Sequence, residues 1–246
     1  DIVVGGLFSA VNGATRNGIA KLDAQGDTVS PTEFDPGTGA DKIVYSVALQ
    51  PDGKILLGGL FEKVRGTARP RLARLNANGT LDTAFNPVAD DAVYSIAVQP
   101  DGKILVAGQF QNIAGNAANR IARLNADGSF DNSFDAGAGA NDRITAITLQ
   151  SDGKVLLGGY FTDFAGTSGL NRIARLDSLG VVDPVFNPGT GANEKVLTLA
   201  VQTDGKILVG GQFTTFDGSP RNRIVRLTPT GGLDPNFDAG DGADGE

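Results

Sequence analysis

Short apolar runs alternate with polar, glycine-rich turns, and this pattern recurs along the whole chain. The first run of each copy, strand one, has the period of two and the β-branched content of a strand with one face in a core. It lies at residues 44–50, 93–99, 144–150 and 196–202. The next run, strand two, is continuously apolar and ends in glycine, as at 55–59. Such a run predicts a strand that is covered on both faces.

A tight turn separates strand one from strand two. It contains Asp-Gly-Lys at residues 52–54, 101–103, 152–154 and 204–206. Asp-Gly between two apolar runs predicts a β-hairpin, because glycine readily adopts the positive φ that such turns require.

The second half of each copy predicts another hairpin. A longer polar loop follows strand two, and strand three comes next, at residues 71–76, 120–125, 172–177 and 223–228. A turn then leads into strand four, which ends at Phe85, Phe134, Phe186 or Phe237. Glycine-rich connectors with Asp or Asn join strand four to the next strand one, as at 35–41. Two up-and-down hairpins per copy are typical of a β-propeller blade.

The copies recur at a nearly constant interval. A Gly-x-Phe mark ends each strand-two region, at Phe8, Phe61, Phe110, Phe161 and Phe213, so the spacing is 49 to 53 residues. A period of this length is typical of repeat architectures. We therefore predict a single β-propeller domain or segment, with repeats at approximately 1–51, 52–100, 101–151, 152–203 and 204–246.

The fold prediction is an all-β propeller of five four-stranded blades, whose first blade lacks its inner strand. Copy one begins within strand two, at Ile2. Either the ring closes without that strand, or the native chain continues and this is a segment of a larger protein. The second interpretation is favoured.

Two stretches together carry a family resemblance. Residues 93–110 read VYSIAVQPDGKILVAGQF, and residues 119–134 read NRIARLNADGSFDNSF. This combination resembles the bacterial delta-60 propeller repeat family over essentially the whole chain, and more distantly the NHL-type blade. The resemblance implies a β-propeller from a large bacterial secreted or surface protein. It implies no catalytic residue, because the family has no assigned activity.

Composition excludes several kinds of site and disfavours several kinds of partner. With no His and no Cys, the chain has no imidazole or thiolate for a metal site or a nucleophile system. A formal net charge of −7 at pH 7 disfavours nucleic acid as a partner. The apolar runs are too short to cross a bilayer, so direct membrane insertion is not expected.

Several repeated side chains are expected to be structural. An Arg of strand three lies nearly opposite an Asp of strand four, as in Arg74 and Asp82, which predicts a cross-strand ion pair. Ten of the thirteen Phe residues occupy repeat positions and are expected to fill the space between copies. The other three, Phe130, Phe164 and Phe216, are better candidates for exposed contacts.

The best candidate ligand site precedes strand one. Asp or Asn occurs three residues before the first aliphatic residue, and an acidic residue follows in three copies. If strand one is innermost, these side chains ring one mouth of a central channel. The predicted ligand-binding residues are Asp41, Asp90, Asp91, Asn141, Asp142, Asn193 and Glu194.

Three chemical interpretations of this ring remain open. Oxygen ligands on glycine-rich loops suit Ca²⁺, for which the candidate ligands are Asp41, Asp90, Asn141 and Asn193, or a polar sugar. Alternatively, Asp and Asn serve only as turn formers. Paired carboxylates for glycoside hydrolysis are the least favoured interpretation, because no non-repeating acidic pair stands out.

The sequence therefore favours a non-enzymatic binding or display module of a secreted or cell-surface bacterial protein. It would contact glycans or protein partners through the face that carries the loops after strand two, because sequence varies there on a rigid scaffold. The alternative is a purely structural scaffold or subunit of an extracellular assembly.

Overall fold

The computed structural model describes residues 1–245, and this part of the chain contains strands and turns but no helix. It divides into two compact units. Unit 1 comprises Asp1–Ala117 with Arg123–Asp131, and unit 2 comprises Ala118–Ala122 with the chain from Asn132 onward. The strands follow the repeat, and the all-β prediction is confirmed.

Within residues 1–245, copy one contains four strands and each of the other copies contains five. Copy one contains β1 (Ile2–Gly5), β2 (Ala10–Val11), β3 (Ala14–Thr15) and β4 (Ile19–Leu22). Copy two contains β5 (Val44–Leu49), β6 (Ile55–Gly59), β7 (Lys63–Val64), β8 (Thr67–Ala68) and β9 (Leu72–Leu75). Copy three contains β10 (Val93–Val98), β11 (Ile104–Gly108), β12 (Asn112–Ile113), β13 (Asn116–Ala117) and β14 (Ile121–Leu124). Copy four contains β15 (Ile144–Leu149), β16 (Val155–Gly159), β17 (Asp163–Phe164), β18 (Thr167–Ser168) and β19 (Ile173–Leu176). Copy five contains β20 (Val196–Val201), β21 (Ile207–Gly211), β22 (Thr215–Phe216), β23 (Ser219–Pro220) and β24 (Ile224–Leu227).

Strand two is the centre of each complete sheet. In copy two the order is β5-β6-β9, and the same order recurs in the later copies. β6 pairs antiparallel with both neighbours, with Leu56 opposite Ala48 on one side and Arg74 on the other. All five residues of β6 are buried, as its continuous apolar sequence predicts. The hairpin turn before it is also confirmed, because Gly53 has φ 83°.

Strand four is shorter than its pattern suggests. It pairs with strand three through one isolated bridge per copy, for example between Leu75 and Leu81. Each complete copy thus has four antiparallel segments, of which the fourth is a single bridge followed by a turn. Beyond the bridge the Asp82 amide still donates to the Arg74 carbonyl of strand three at 2.9 Å, and its carboxylate caps the turn that follows: the amide of Ala84 donates to Asp82 Oδ1 at 3.1 Å.

The loop after strand two is itself ordered as a small β-ribbon, which the sequence analysis missed. In copy two, β7 pairs with β8, and the two turn residues between them, Arg65 and Gly66, have φ 52° and 75°. Positive φ at both positions defines a type I′ hairpin. The same ribbon occurs in all five copies, as β2–β3, β7–β8, β12–β13, β17–β18 and β22–β23.

The apolar core joins successive copies within each unit. In unit 1, Ile19 and Phe34 of copy one cluster with Val44 and Phe61 of copy two. In unit 2, Phe186 of copy four clusters with residues of copy five. The predicted role of the repeated Phe residues is confirmed for these clusters. The prediction for Phe164 and Phe216 was wrong, because each is fully buried and packs edge-on against the Phe three residues earlier; Phe130 is half-buried.

Candidate functional site

The predicted ring residues cap the ribbon of their own copy. Asp41 Oδ1 accepts hydrogen bonds from the amides of Glu62 and Lys63 at 2.8 and 3.0 Å. Asn141 Oδ1 does the same for Thr162 and Asp163, at 2.9 and 3.1 Å. Asp90 and Asn193 make the equivalent pairs of bonds. Each side chain therefore fixes the start of strand one to a ribbon about twenty residues further along the chain.

This capping changes the electrostatics of Asp90. Burial raises the pKa of its carboxyl, but hydrogen bonds from the side chain and amide of Asn112 and from the amide of Gln111 outweigh burial. The pKa of Asp90 therefore lies below its ordinary value. The carboxylate is held ionised, with one oxygen shared by two amide donors.

The second set of predicted residues stands clear of the ribbon. Asp142 and Glu194 are exposed, and Asp91 is half-buried. Asp91 Oδ1 accepts a hydrogen bond only from the next amide in the chain, that of Ala92, at 2.7 Å. These carboxylates keep acceptor capacity that a ligand can use.

No group of three or more acidic residues within residues 1–245 is arranged to hold a metal ion. The capping oxygens at Asp41, Asp90, Asn141 and Asn193 are each engaged by two amides of the protein. The calcium expectation remains a prediction, and a cation at these positions would use the remaining oxygen of each side chain together with loop carbonyls.

A pair of tyrosines in unit 1 was missed by the sequence analysis. Tyr45 of β5 and Tyr94 of β10 lie with ring centroids 5.0 Å apart, at an interplanar angle of 56°. Tyr45 is 44% exposed, and the Tyr94 hydroxyl donates to Gln109 Oε1 at 3.2 Å. The pair offers an apolar ring surface beside polar atoms, an arrangement typical of binding surfaces.

A β-bulge places each of these tyrosines. In copy two the register shifts between Val44 and Ser46, so Tyr45 has no opposite residue on β6. The same shift between Val93 and Ser95 leaves Tyr94 without an opposite residue on β11. A bulge redirects a side chain out of the regular alternation, and bulges are common beside active sites.

Unit 2 has a basic and aromatic cluster near the start of strand one. The Arg143 guanidinium lies over the Tyr160 ring at 3.7 Å, and Lys195 Nζ lies 5.2 Å from the same ring centroid. The ladder positions the pair, because the Tyr160 amide donates to the Arg143 carbonyl at 2.9 Å. With exposed Asp142 and Glu194 adjacent in sequence, this region presents both charge signs beside an aromatic ring.

A Lys–Asp–Arg cluster lies within copies two to five. In copy two, Asp82 Oδ2 accepts from Arg74 Nε at 2.9 Å and from Lys54 Nζ at 3.1 Å. The Arg74 guanidinium also lies 4.3 Å from the Phe85 ring centroid. The predicted cross-strand pair is confirmed, and the Lys of the Asp-Gly-Lys turn is an additional member.

The cluster shifts the pKa of its carboxylates. Burial raises the pKa of Asp82, but its hydrogen bonds to Lys54 and Arg74 outweigh burial, so the pKa lies below the ordinary value of 3.8. The same balance lowers the pKa of Asp183. Asp234 reaches about 2, chiefly because the Asn236 amide donates to it, with Lys206 and Arg226 adding to the effect. These buried ion pairs are structural.

An open cavity of about 630 Å³ lies in unit 1 beside β1. One wall is formed by Gly6, Leu7 and Phe8, and the other by the connector residues Gly39, Ala40 and Asp41. The cavity combines an apolar wall with a capped Asp.

Three-stranded antiparallel sheets repeated at a fixed interval, with no helix within residues 1–245, define an all-β repeat protein of the β-propeller class. The sequence matches the family described as "Domain of unknown function (DUF5122) beta-propeller". The matched residues are 1–28, 50–85, 99–134, 150–186 and 202–237. The chain belongs to this family, which confirms the predicted resemblance to a delta-60-like repeat β-propeller family.

Solved structures show the same fold at low identity. The WD40 β-propeller domain of Doa1 is similar with a TM-score of 0.53 and 18% identity, over 80% of this chain and 53% of that one. The extracellular domain of a putative hybrid two-component system from B. thetaiotaomicron has a TM-score of 0.51 and 16% identity, over 86% and 24%. A putative gluconolactonase has a TM-score of 0.50 and 16% identity, over 88% and 70%.

The chain thus spans about half the length of the first of these structures and about a quarter of the second. The likeness concerns the fold alone. Among proteins with curated descriptions, none matches the chain. Within residues 1–245 there is no helix with the length and apolar character needed to cross a membrane.

Proposed function

We propose that this chain is a non-enzymatic binding module of a bacterial secreted or cell-surface protein, in which each copy forms one propeller blade. Its ligands are glycans or protein partners bearing them. The observation that carries the proposal is the Tyr45–Tyr94 pair, which two bulges hold at the start of strand one.

The chemistry of this pair suits a sugar ring. A pyranose has one face of C–H groups and an equatorial rim of hydroxyls, so it needs an aromatic surface and nearby hydrogen-bonding groups. Tyr45 supplies an exposed ring, and Gln109 and Asp91 supply polar atoms in the same unit. Tyrosine also loses little conformational entropy on binding, because only two side-chain torsions are ordered.

The sequence variation of the ribbons supports a binding role for the face of the copies that carries them. All five share one backbone conformation, but the first residue of the turn differs: it is Asn12, Arg65, Ala114, Ala165 or Asp217. Variation on a fixed scaffold is typical of recognition surfaces. In copies two to five the capping Asp or Asn ties the variable ribbon to the strand that presents the candidate ligand groups.

A glycan array probed with the purified chain tests the proposal, with calcium present and with a chelator. For a glycan that binds, Tyr45→Ala and Tyr94→Ala are each expected to weaken binding at least tenfold, and Tyr45→Phe is expected to retain it. Leu49→Ala is the matched control, since Leu49 is 64% exposed on the same strand but outside the tyrosine pair. Loss of binding in the chelator would support the calcium expectation.

Other outcomes point to other functions. Absence of binding on the array in both conditions, together with self-association in light scattering, would favour the structural scaffold. Release of free sugar from a bound glycan would overturn the non-enzymatic proposal. In that case Asp91, Asp142 and Glu194 are the first carboxylates to replace.

A further inference from the structure

The residue that directly precedes strand one is basic in unit 2 and uncharged in unit 1. Arg143 and Lys195 hold this position in copies four and five, and Ile43 and Ala92 hold it in copies two and three. In each copy the carbonyl of this residue accepts a hydrogen bond from the amide that follows strand two. The donors are Leu60, Gln109, Tyr160 and Gln212, at 2.9 to 3.0 Å. The backbone therefore forms equally well with an uncharged residue, and the fold does not require the two cations.

Tyr160 brings the two cations together. The guanidinium carbon of Arg143 lies 3.7 Å from the Tyr160 ring centroid, and Lys195 Nζ lies 5.2 Å from it. Both distances are within the roughly 6 Å at which a cation is attracted to an aromatic ring. All three side chains are half-buried, so part of each remains open to solvent. In the other complete copies the residue equivalent to Tyr160 is Leu or Gln, so this combination is particular to copy four and its neighbour.

The contacts with Tyr160 leave hydrogen-bond donors for an anion. The N–H bonds of a guanidinium lie in its plane, so the contact of Arg143 with the ring face consumes none of its five donors. Lys195 forms no ion pair with a carboxylate among residues 1–245, and the Tyr160 hydroxyl makes no hydrogen bond there. Two cations and a phenol hydroxyl on one ring are the donors that a carboxylate or sulfate group requires.

The capping residues change charge together with these positions. Two residues before each cation the cap is an amide, Asn141 or Asn193, whereas copies two and three have the carboxylates Asp41 and Asp90. Both kinds of cap accept the same pair of hydrogen bonds from ribbon amides. The amide caps therefore preserve the fold and omit a negative charge beside each cation, where it would repel a bound anion.

A side-chain hydrogen bond fixes the spacing of the two cations. Arg143 directly precedes β15, and Lys195 directly precedes β20. Thr145 Oγ1 of β15 donates to the Val196 carbonyl of β20 at 2.7 Å, so the starts of the two strands are held together. A site that is fixed before its ligand arrives loses less conformational freedom on binding.

We propose that Arg143, Lys195 and Tyr160 form a binding site in unit 2 for a carboxylate or sulfate group. The guanidinium supplies paired donors for two oxygens of the anion, the ammonium supplies a second positive charge, and the phenol supplies a neutral donor. The site goes beyond the function proposed above, because none of its residues belongs to the tyrosine pair of unit 1 and it does not depend on that pair.

Two acidic neighbours give the proposal a prediction of definite sign. Asp142 and Glu194 are exposed, and each directly precedes one of the cations. Their charges oppose anion binding at short range. The double variant Asp142→Asn with Glu194→Gln is therefore expected to bind the anion about threefold more tightly, which corresponds to less than 1.4 kcal/mol for the two charges.

NMR of isotope-labelled tyrosine rings tests the site on the full chain. The chain has three Tyr residues, and the variants Tyr45→Phe, Tyr94→Phe and Tyr160→Phe assign their resonances. Titration with glucuronate, sulfated glucose or inorganic sulfate is expected to shift the Tyr160 resonance saturably, and glucose, the matched neutral sugar, is expected to leave it in place. The relative affinities of the three anions show whether a sugar that carries the charged group adds to binding.

Variants that copy another repeat locate the anion. Arg143→Ala and Lys195→Ala each introduce the residue that copy three has at Ala92, so the fold is expected to persist, and thermal melting checks this. Each variant is expected to weaken anion binding at least tenfold. Lys42→Gln is the control for net charge, since the exposed Lys42 lies in unit 1, and it should leave the affinity unchanged. Added salt is expected to weaken binding to the wild type.

The proposal is overturned if no anion shifts the Tyr160 resonance, if glucose shifts it equally, or if both alanine variants bind as the wild type does. Shifts confined to Tyr45 and Tyr94 would also overturn it, while supporting the tyrosine pair as a ligand site. A saturable shift of Tyr160 with Tyr45 and Tyr94 unchanged would support the anion site alone, so the two proposals can fail separately.

Discussion

Copies one and two carry the same strand-two sequence pattern but have different surroundings. The first Gly of each pair, Gly5 or Gly58, lets two aliphatic side chains of the next strand one pack against strand two: Val44 and Val47 in one case, Val93 and Ile96 in the other. The other side differs, because β6 is covered by β5, whereas β1 has no such neighbour among residues 1–245. The burial of strand two is therefore set by its sheet partner as much as by its own residues.

Copies one and two also differ in the Lys–Asp–Arg cluster, which copy two contains and copy one does not contain within residues 1–245. Val29 takes the backbone position of Asp82, since the Val29 amide donates to the Lys21 carbonyl as the Asp82 amide does to that of Arg74. Lys21 pairs instead with Asp1 at 2.9 Å. A copy can thus keep its fold without the ion pair, provided that both partners change.

Acid is expected to produce the largest effect on stability, because it acts at once on the Lys–Asp–Arg cluster carboxylates of several copies, and copy one has no such cluster within residues 1–245. The pKa of Asp82 and Asp183 is lowered, and that of Asp234 is about 2. Because the folded pKa lies below the unfolded value, the stabilisation is complete above about pH 3.8 and is lost as the pH falls towards 2. Urea midpoints at constant ionic strength should be flat from pH 7 to about 4 and then fall steeply. A decline that began near pH 6 would contradict this assignment.

Asp82→Val gives copy two the side chain that copy one has at this position, Val29, but keeps the basic partners Arg74 and Lys54. It leaves Arg74 and Lys54 facing a buried apolar group, so we expect a loss of about 3 kcal/mol in unfolding free energy. Denaturant titration measures the loss. Asp52→Asn is the matched control: Asp52 lies 4.0 Å from the same Lys54 but is exposed, and its replacement should cost no more than about 0.5 kcal/mol. Equal losses in the two variants would show that burial of the pair is not the cause.

Gly59→Ala and Gly6→Ala compare the two strand edges directly. A Cβ at Gly59 collides with the Ile43 carbonyl, and one at Gly6 meets only the movable Phe8 ring. We expect a loss of about 2 kcal/mol at Gly59, from overpacking, and little change at Gly6. Urea midpoints of the two variants give the comparison, and a similar loss at Gly6 would show that the Phe8 ring cannot move aside.

Ala114→Asn should give the smallest effect, and in the stabilising direction. Ala114 has φ 50° in the type I′ turn of copy three, where copy one has Asn12 at φ 49°. Asn tolerates this region better than Ala, so we expect a gain of about 0.5 kcal/mol, a part of the roughly 1 kcal/mol cost of a left-handed residue. A melting curve against wild type measures it, and destabilisation would indicate that the Ala114 side chain makes a contact that Asn cannot.

Much of the fold could be predicted from the sequence because its signals are local. The Asp-Gly turns and the continuous apolar run of strand two each fix one conformation with little help from elsewhere. Gly18 was not predicted in this way: it stands where copy two has Arg71, and the structure shows that both positions have positive φ, 69° and 66°. The change from Arg therefore preserves the backbone of copy one.

The ribbons and the tyrosine pair were missed for a physical reason. Only Asn12-Gly13 and Asp217-Gly218 carry a type I′ signature; the other turns adopt the same conformation because the capping side chains and the bridge to the connector impose it. Likewise, the alternation within strand one does not show that Tyr45 and Tyr94 leave the ladder, since a bulge depends on the neighbouring strand. The sequence drew attention to the Asp and Asn positions before strand one, but it did not predict the ribbon amides that they bind.

Two Arg residues of the clusters also bond to the copy that follows their own. Arg74 donates to the main-chain carbonyl of Ala126 in the following copy, and Arg175 donates to that of Pro229 at 2.6 Å. Because the acceptor is a carbonyl common to every residue, the neighbour's side chain is irrelevant to the bond. At these two joints the following copy can therefore change the side chain at the accepting position without losing the bond.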